Sequence, residues 1–273
     1  MGAAPRATEK LTATELRRNR VSDQLDKTGH PVRLSYLILA EMRSGSTLLS
    51  DMLFKRGAGV PLEYFNENYR RDFTARLFPA RVMPAAEGYL EKIRELRTTE
   101  NGYFGVKCLL PQLRQFGRDL PPQRFVERFD RIVLLTRRNK LAQAISAMRA
   151  QQSGQWASTL APESDRELVL DPVFVSASLR GFLARERSIR TLLKRIDRPM
   201  LFLEYESIET SLEAVWRDLQ IFLDLKPTAV NDAATDLTRQ ADVQSLEFAQ
   251  QYLRHIQGLD TVASRKRSGR KSR

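Results

Sequence analysis

Cysteine, histidine and tryptophan are nearly missing from this 273-residue chain, which holds one Cys, two His and two Trp. The lone Cys108 excludes an intrachain disulfide and fits a reducing, cytoplasmic setting. His30 and His255 lie toward the two ends, outside any motif, so no His-based chemistry stands out. No apolar run approaches the ~18 residues that a membrane span needs. The opening MGAAPRATEKLTATELRRNR lacks the apolar stretch of a secretory signal. Arg6 stands where a myristoylation motif beginning at Gly2 wants Ser or Thr. Acidic residues are in deficit: 33 against 45 Lys and Arg, a formal charge of +12. Much of that excess sits in SRKRSGRKSR, Ser264–Arg273, which reads as a solvated, disordered tail. Its functional readings are a contact with nucleic acid or with an anionic membrane face.

What is present is a chain long enough for one large domain, with 42% hydrophobic residues for a core. Residues 1–33 are polar and charged, with Leu11, Leu16 and Val21 too sparse for a firm helix face, and read as a poorly ordered or peripheral arm. Residues 34–258 form the folded domain, and 259–273 form the basic tail. Within the domain, apolar runs at Tyr36–Ala40, Tyr103–Leu109, Arg131–Thr136 and Met200–Tyr205 read as strands. Helical periodicity follows over Thr47–Leu53, Ala85–Arg97, Leu141–Gln152 and Pro172–Ile196, and from Ser207 as a possible cap through Leu223. A helix is also expected around Gln112–Gln115, stopped by Pro121-Pro122, and a last one from Ser245 to about Ile256. The stretch from Val60 to about Pro84 reads as irregular, basic and aromatic, and Ser153–Asp171 as a loop. Alternating strands and helices imply an α/β fold: a mainly parallel sheet covered on both faces, in three layers, αβα.

The most informative stretch is YLILAEMRSGSTLLSDML, Tyr36–Leu53. A buried strand, a tight polar loop and a helix direct backbone N–H groups and a helix N-terminus to one spot, which suits a phosphate. Gly45 lets the backbone come close, Ser46 and Thr47 offer hydroxyls, and Arg43 supplies a planar charged fork. The loop is not a Walker A: it has one glycine and no Lys before Ser46. A P-loop kinase is thereby disfavoured. In parallel sheets ligands lie beyond the strand C-termini, so Arg43–Thr47, Lys107 and Arg137–Arg138 are expected on one rim.

The segment RIVLLTRRNKLAQAISAMRA adds a second site. Arg138 ends a strand and Ser146 lies on the next helix, roughly two turns on. Such a pair can grip a second phosphate, and the two sites together describe a nucleotide with 5′ and 3′ phosphates. The plain alternative for Ser146 is a hydroxyl bonded to a helix carbonyl.

At this point the chain resembles the PAPS-dependent sulfotransferases. The closer likeness is to bacterial carbohydrate sulfotransferases of the trehalose 2-sulfotransferase (Stf0) type and to nodulation-factor sulfotransferases. It rests on Tyr36–Leu49, then GVPLEYFN (Gly59–Asn66), FGVK (Phe104–Lys107), Arg137–Trp156, LEYE (Leu203–Glu206) and RQAD (Arg239–Asp242), in that order. It covers about residues 34–255 and implies a P-loop-like sulfotransferase fold. The family's chemistry is transfer of a sulfonyl group from PAPS to a carbohydrate or glycolipid hydroxyl, releasing PAP without a metal. By resemblance, Arg43, Ser44, Gly45, Ser46 and Thr47 form the 5′-phosphosulfate loop, and Arg138 with Ser146 the 3′-phosphate site. Arg239 either closes over the cofactor or is a surface ion-pair partner, Glu63 is the general base, and a homodimer is implied. Val60-Pro61-Leu62 departs from the trehalose type, which bears on the acceptor more than on the chemistry.

A sugar hydroxyl needs a base at neutral pH, and the phosphate oxygen that leaves gains charge, which Arg43, Lys107 and loop N–H groups can offset. Tyr64, Phe65, Tyr69 and Trp156 are candidate sugar-stacking rings, with core packing as the plain alternative. The competing reading is a basic nucleic-acid- or membrane-binding protein on the same scaffold. It accounts for the tail but not for basic clusters placed after strands, and no specific nucleic acid is expected.

Overall fold

The computed structural model describes residues 10–78, 82–115, 120–164, 166–229 and 243–268. In chain order these form α1 (Ala13–Val21), β1 (Leu34–Ala40), α2 (Ser46–Lys55), α3 (Glu67–Leu77), α4 (Ala86–Arg97), β2 (Tyr103–Leu109), α5 (Pro122–Glu127) and β3 (Arg131–Thr136). They continue with α6 (Lys140–Ser153), α7 (Pro172–Leu193), β4 (Met200–Glu204), α8 (Tyr205–Thr210), α9 (Leu212–Phe222) and α10 (Val243–Ser268). The four strands pair in parallel in the order β2-β1-β3-β4. Every residue of β1 is buried, as expected for a central strand covered on both faces.

Side-chain alternation divides the core in two. Leu37 and Leu39 join Phe104, Val106 and Leu134 on one face, under α3, α4, α5 and α7. Tyr36, Ile38 and Ala40 join Leu49, Met52, Leu53, Val215, Trp216 and Leu219 on the other, under α2 and α9. The expected three-layer αβα arrangement is therefore present. A satellite cluster joins α6, α7 and α10 through Ile145, Met148, Phe182, Phe248 and Tyr252. No described helix is long and apolar enough to cross a membrane.

Several local expectations are corrected. The stretch read as irregular contains α3, capped by Asn66, whose side chain accepts from the Asn68 N–H at 3.1 Å. Only Phe73 and Thr74 of that helix are buried, which left too little periodicity to see. Leu110–Arg114 forms a 3-10 turn, not an α-helix. Pro122 starts α5 rather than stopping a helix, because its missing N–H costs nothing in a first turn. Ser207 lies inside α8 and is no cap; its carbonyl accepts from Ser211 N–H at 2.9 Å. The RQAD segment, with Arg239, and residues 269–273 of the tail lie outside the described residues.

The arm is the largest correction: its described part is folded onto the domain. Thr12 and Glu15 form a capping box at the start of α1. Arg17 pairs with Asp72 of α3 at 2.6 Å. At the other end, the fully buried Arg97 of α4 donates through Nη2 to the carbonyls of Arg20, Val21 and Ser22 at 3.3, 3.5 and 2.9 Å. Its Nε sits 3.1 Å from Asp26 Oδ1, and Asp26 also pairs with Arg76 at 2.6 Å. Sparse apolar residues concealed this arm because charge pairs, rather than an apolar stripe, hold it.

Replacing Arg97 with Leu leaves Asp26 short of a partner and frees three carbonyls. It should lower the unfolding free energy by ~3–5 kcal/mol and open α1 to trypsin at Arg17 and Arg18. Urea denaturation and limited proteolysis check this, and an unchanged midpoint with an intact arm would show that Arg97 is not the anchor.

Candidate active site

β1 delivers the chain into Glu41–Gly45, beside the point where the strand order turns back between β1 and β3. Arg43 and Gly45 are both left-handed, with φ of +59° and +87°. That conformation turns successive N–H groups toward a common centre, a nest for an anion. Gly45 caps α2 and no side chain caps that helix, so its first N–H groups remain available. A Cβ at Gly45 would meet the ring of Tyr205 at 2.7 Å, so glycine is required here by both φ and space. The Ser44 hydroxyl donates to the Glu41 carbonyl at 2.7 Å and is spent on holding the loop.

Cations gather around this nest. Arg43 Nε donates to Ser146 Oγ at 2.9 Å, and its Nη1 donates to the Trp156 carbonyl. Burial, then the nearby charges of Arg137 and Arg149, lower the Arg43 guanidinium to about 10. It stays charged at neutral pH, in surroundings that favour an anion. Arg137 is buried, donates to the Arg43 carbonyl at 3.1 Å and lies 4.5 Å over the Tyr205 ring.

Lys107 was expected at a strand end on the rim. It lies within β2, opposite Ile38, and is 2% exposed. Its face of the strand looks toward α2, and Nζ reaches Thr47 Oγ1 at 3.2 Å. Nζ also lies 3.0 Å from Glu63 Oε1. Glu63 is brought there by Gly59, whose φ is +95° and where a Cβ would lie 3.0 Å from the Gly105 N. The chain then runs beside β2, and Lys107 N donates to the Leu62 carbonyl at 3.0 Å. Gln112, from the turn after β2, donates to Glu63 Oε2 at 2.8 Å. Burial on its own would raise the Glu63 pKa, but the Lys107 charge and the two hydrogen bonds outweigh it and hold the carboxyl below its ordinary range. Burial lowers the Lys107 pKa, with Glu63 working against it.

The structure thus brings together Arg43, Gly45, Thr47, Ser146, Lys107 and Glu63, with Ser46 buried at the first residue of α2. It does not bring Arg138 in. That side chain is exposed and pairs with Glu204, while Glu206 accepts from the N–H groups of Arg138 and Asn139 at 2.9 Å each. Tyr64 and Phe65 are core residues, 0% and 1% exposed, and so are not sugar platforms, whereas Trp156 is exposed. Sequence reasoning missed Gln112, the packing roles of Arg137 and Tyr205, and the buried Glu41, which Arg185 of α7 meets at 2.5 Å. The only sequence signals were Arg137 beside Arg138, Tyr205 inside LEYE, and Gln112 close after Lys107.

The family model described as Stf0 sulphotransferase matches residues 35–255. The chain belongs to the Stf0 sulphotransferase family. A trehalose 2-sulfotransferase of Mycolicibacterium smegmatis is 28% identical over 270 residues, covering 84% of this chain and 97% of the relative. Among solved structures, the sulfotransferase domain from the curacin biosynthetic pathway is 14% identical with a TM-score of 0.43, covering 80% of this chain and 83% of that one. A mouse sulfotransferase complexed with PAP is 13% identical with a TM-score of 0.40, covering 88% of this chain and 69% of that one. As a member of this family the chain is a PAPS-dependent sulfotransferase, which sets aside the reading as a basic binding protein. The donor set fits that nucleotide: a nest and an open helix end with Arg43, Lys107 and Arg137 around them.

The Lys107–Glu63 pair yields a pH prediction. Glu63 has a depressed pKa, so its charged form contributes stability above the unfolded carboxyl pKa, and that contribution is lost as pH falls through the folded value. Lys107→Met should raise the Glu63 pKa, move the acid limb of kcat/KM to higher pH, and cost roughly 100-fold in kcat. A pH–rate profile checks this; an unmoved acid limb would show that Lys107 does not hold Glu63 ionised.

Proposed function

We propose that this enzyme sulfates a hydroxyl of a carbohydrate or glycolipid acceptor, with Glu63 as general base and Lys107 at the leaving phosphate. The observation that carries the reading is the Thr47–Lys107–Glu63 chain, at 3.2 and 3.0 Å, which ties a phosphate loop to an ionised carboxylate. PAPS, when bound, supplies the sulfonyl group. Glu63 accepts the acceptor's hydroxyl proton as that oxygen bonds to sulfur. Lys107, Arg43 and the N–H groups at the start of α2 offset the charge that grows on the phosphate oxygen as its bond to sulfur breaks. Ser46 and Thr47 bind at the same end. Arg138 and Ser146 hold the 3′-phosphate, and for Arg138 this means exchanging Glu204 for phosphate. The bond between Arg43 and Ser146 supports a common nucleotide spanning both sites. Arg239 is assigned to the cofactor by family likeness alone.

The M. smegmatis relative is named for trehalose, which makes a trehalose-like disaccharide the first acceptor to try. The Val60-Pro61-Leu62 run ahead of Glu63 bears on which sugar is taken. A homodimer, a cytoplasmic setting and contact of the basic tail with an anionic inner membrane leaflet complete the reading, and sedimentation and vesicle flotation test the first and last.

Calorimetric titration should give tight PAP binding and weak ADP binding, with the gap lost in Arg138→Ala. Glu63→Gln should keep PAP affinity while kcat falls by ~10²–10⁴. Equal binding of PAP and ADP to the wild type would overturn the two-phosphate site, and a fully active Glu63→Gln would overturn the base.

A further inference from the structure

The buried stripe of α7 runs through Val175, Phe182, Ile189 and Leu193. Between Phe182 and Ile189, which are about two turns apart, the same face of the helix falls at Arg185 and Glu186. The stripe therefore carries two adjacent opposite charges where an apolar pair would continue it. Neither residue belongs to a motif or to the site described above. The β1–β3 ladder ends at Ala40 opposite Leu135, so past that point no backbone pairing between these strands holds their outgoing segments together. Those segments lead to Arg43–Thr47 and to Arg137–Arg138, and α7 reaches both.

Arg185 Nε donates to Glu41 Oε2 at 2.5 Å. Glu41 is 6% exposed and directly follows β1. Its other carboxylate oxygen accepts from the Met42 N–H at 3.2 Å, and its carbonyl accepts the Ser44 hydroxyl at 2.7 Å. The entrance of the phosphate loop is thus tied to itself by Glu41 and to α7 by Arg185. The guanidinium lies back along its own helix, over Gly181, where a Cβ would come within 2.9 Å of Nη1. One residue on, Glu186 Oε2 lies 2.5 Å from Nζ of Lys140, the first residue of α6. Lys140 also donates to the Arg137 carbonyl, in the peptide that leads into Arg138. Arg190, one turn along α7, meets the other oxygen of Glu186 at 3.0 Å. Two neighbours on one helix therefore hold the entrance of the first phosphate segment and the turn that bears the second.

We propose that Arg185 and Glu186 are positioning residues that set the separation of the two nucleotide phosphate sites. Arg185 fixes the loop of Arg43–Thr47 through Glu41, and Glu186 fixes the turn of Arg137–Arg138 through Lys140. The inference rests on the two-phosphate reading under the proposed function. Both residues act through another side chain. A separation set by a packed helix is preorganised, so little ordering is left for the nucleotide to bring about on binding.

Calorimetric titration of the full chain with PAP and ADP tests it, on Glu186→Gln and on the double variant Glu41→Gln/Arg185→Gln. The double variant removes both charges of the buried pair together, so neither is left buried alone. It should weaken PAP and ADP in step, roughly tenfold each, because both nucleotides carry a 5′ phosphate. Arg185→Lys, which keeps a cation beside Glu41, should bind both more tightly than the double variant does. Glu186→Gln should weaken PAP roughly tenfold and leave ADP at its wild-type affinity. Thermal midpoints of the nucleotide-free variants should stay near the wild-type value. A wild-type ratio of PAP to ADP affinity in Glu186→Gln would overturn the proposal. So would unchanged binding in the double variant, or losses of both nucleotides that track a fall in the thermal midpoint. Equal binding of PAP and ADP to the wild type would instead sink the two-phosphate reading, and the double variant would still decide whether Arg185 holds the phosphate loop.

Discussion

A buried ammonium cannot stand alone in a protein interior, and Lys107 is where that constraint acts most strongly. An uncompensated charge of this kind would shed its proton or unfold its surroundings. Its two partners, Thr47 and Glu63, belong to different parts of the chain. Satisfying Lys107 therefore fixes the phosphate loop relative to the carboxylate with no element devoted to that purpose. The glycines serve the same end: Gly45 lets the loop turn under Tyr205, and Gly59 brings the chain back against β2 so that Glu63 arrives beside Lys107.

Electrostatics explains why this centre is ready for its substrate. Arg43 and Arg137 are crowded by one another and by burial, so the loop carries an excess of positive potential. An anion relieves that crowding, which is how a preorganised site gains affinity without rearranging. Arg138 differs: it is solvated and already has Glu204. An exposed pair of this kind is screened by solvent and is sensitive to salt.

Much of the layout was legible in the sequence because buried parallel strands are continuous apolar runs, and all four were found close to their observed bounds. The segment Arg43–Thr47 stood out only in company with Lys107 and Arg137–Arg138 after other strands, since small residues between a strand and a helix also make an ordinary turn. Glu63 came from family likeness; nothing in VPLEYFN by itself separates a catalytic carboxylate from a surface one. The depth of Lys107 was misjudged because a charged residue in a strand reads as its end, whereas its partners arrive from distant segments. Two neighbouring arginines after β3 point in opposite directions, and sequence alone did not say that Arg137 turns inward. The arm escaped because it is held by ion pairs and carbonyl contacts, which leave no periodic trace.

The way Arg97 gathers the last carbonyls of α1 also bears on how the molecule assembles. A guanidinium on α4 closes contacts across a sequence gap of 75 to 77 residues. Contacts of such long sequence separation carry a high loop-closure cost, and the arm is attached through them. Amide exchange in α1, compared with that of β1, reads out whether the arm opens separately from the sheet.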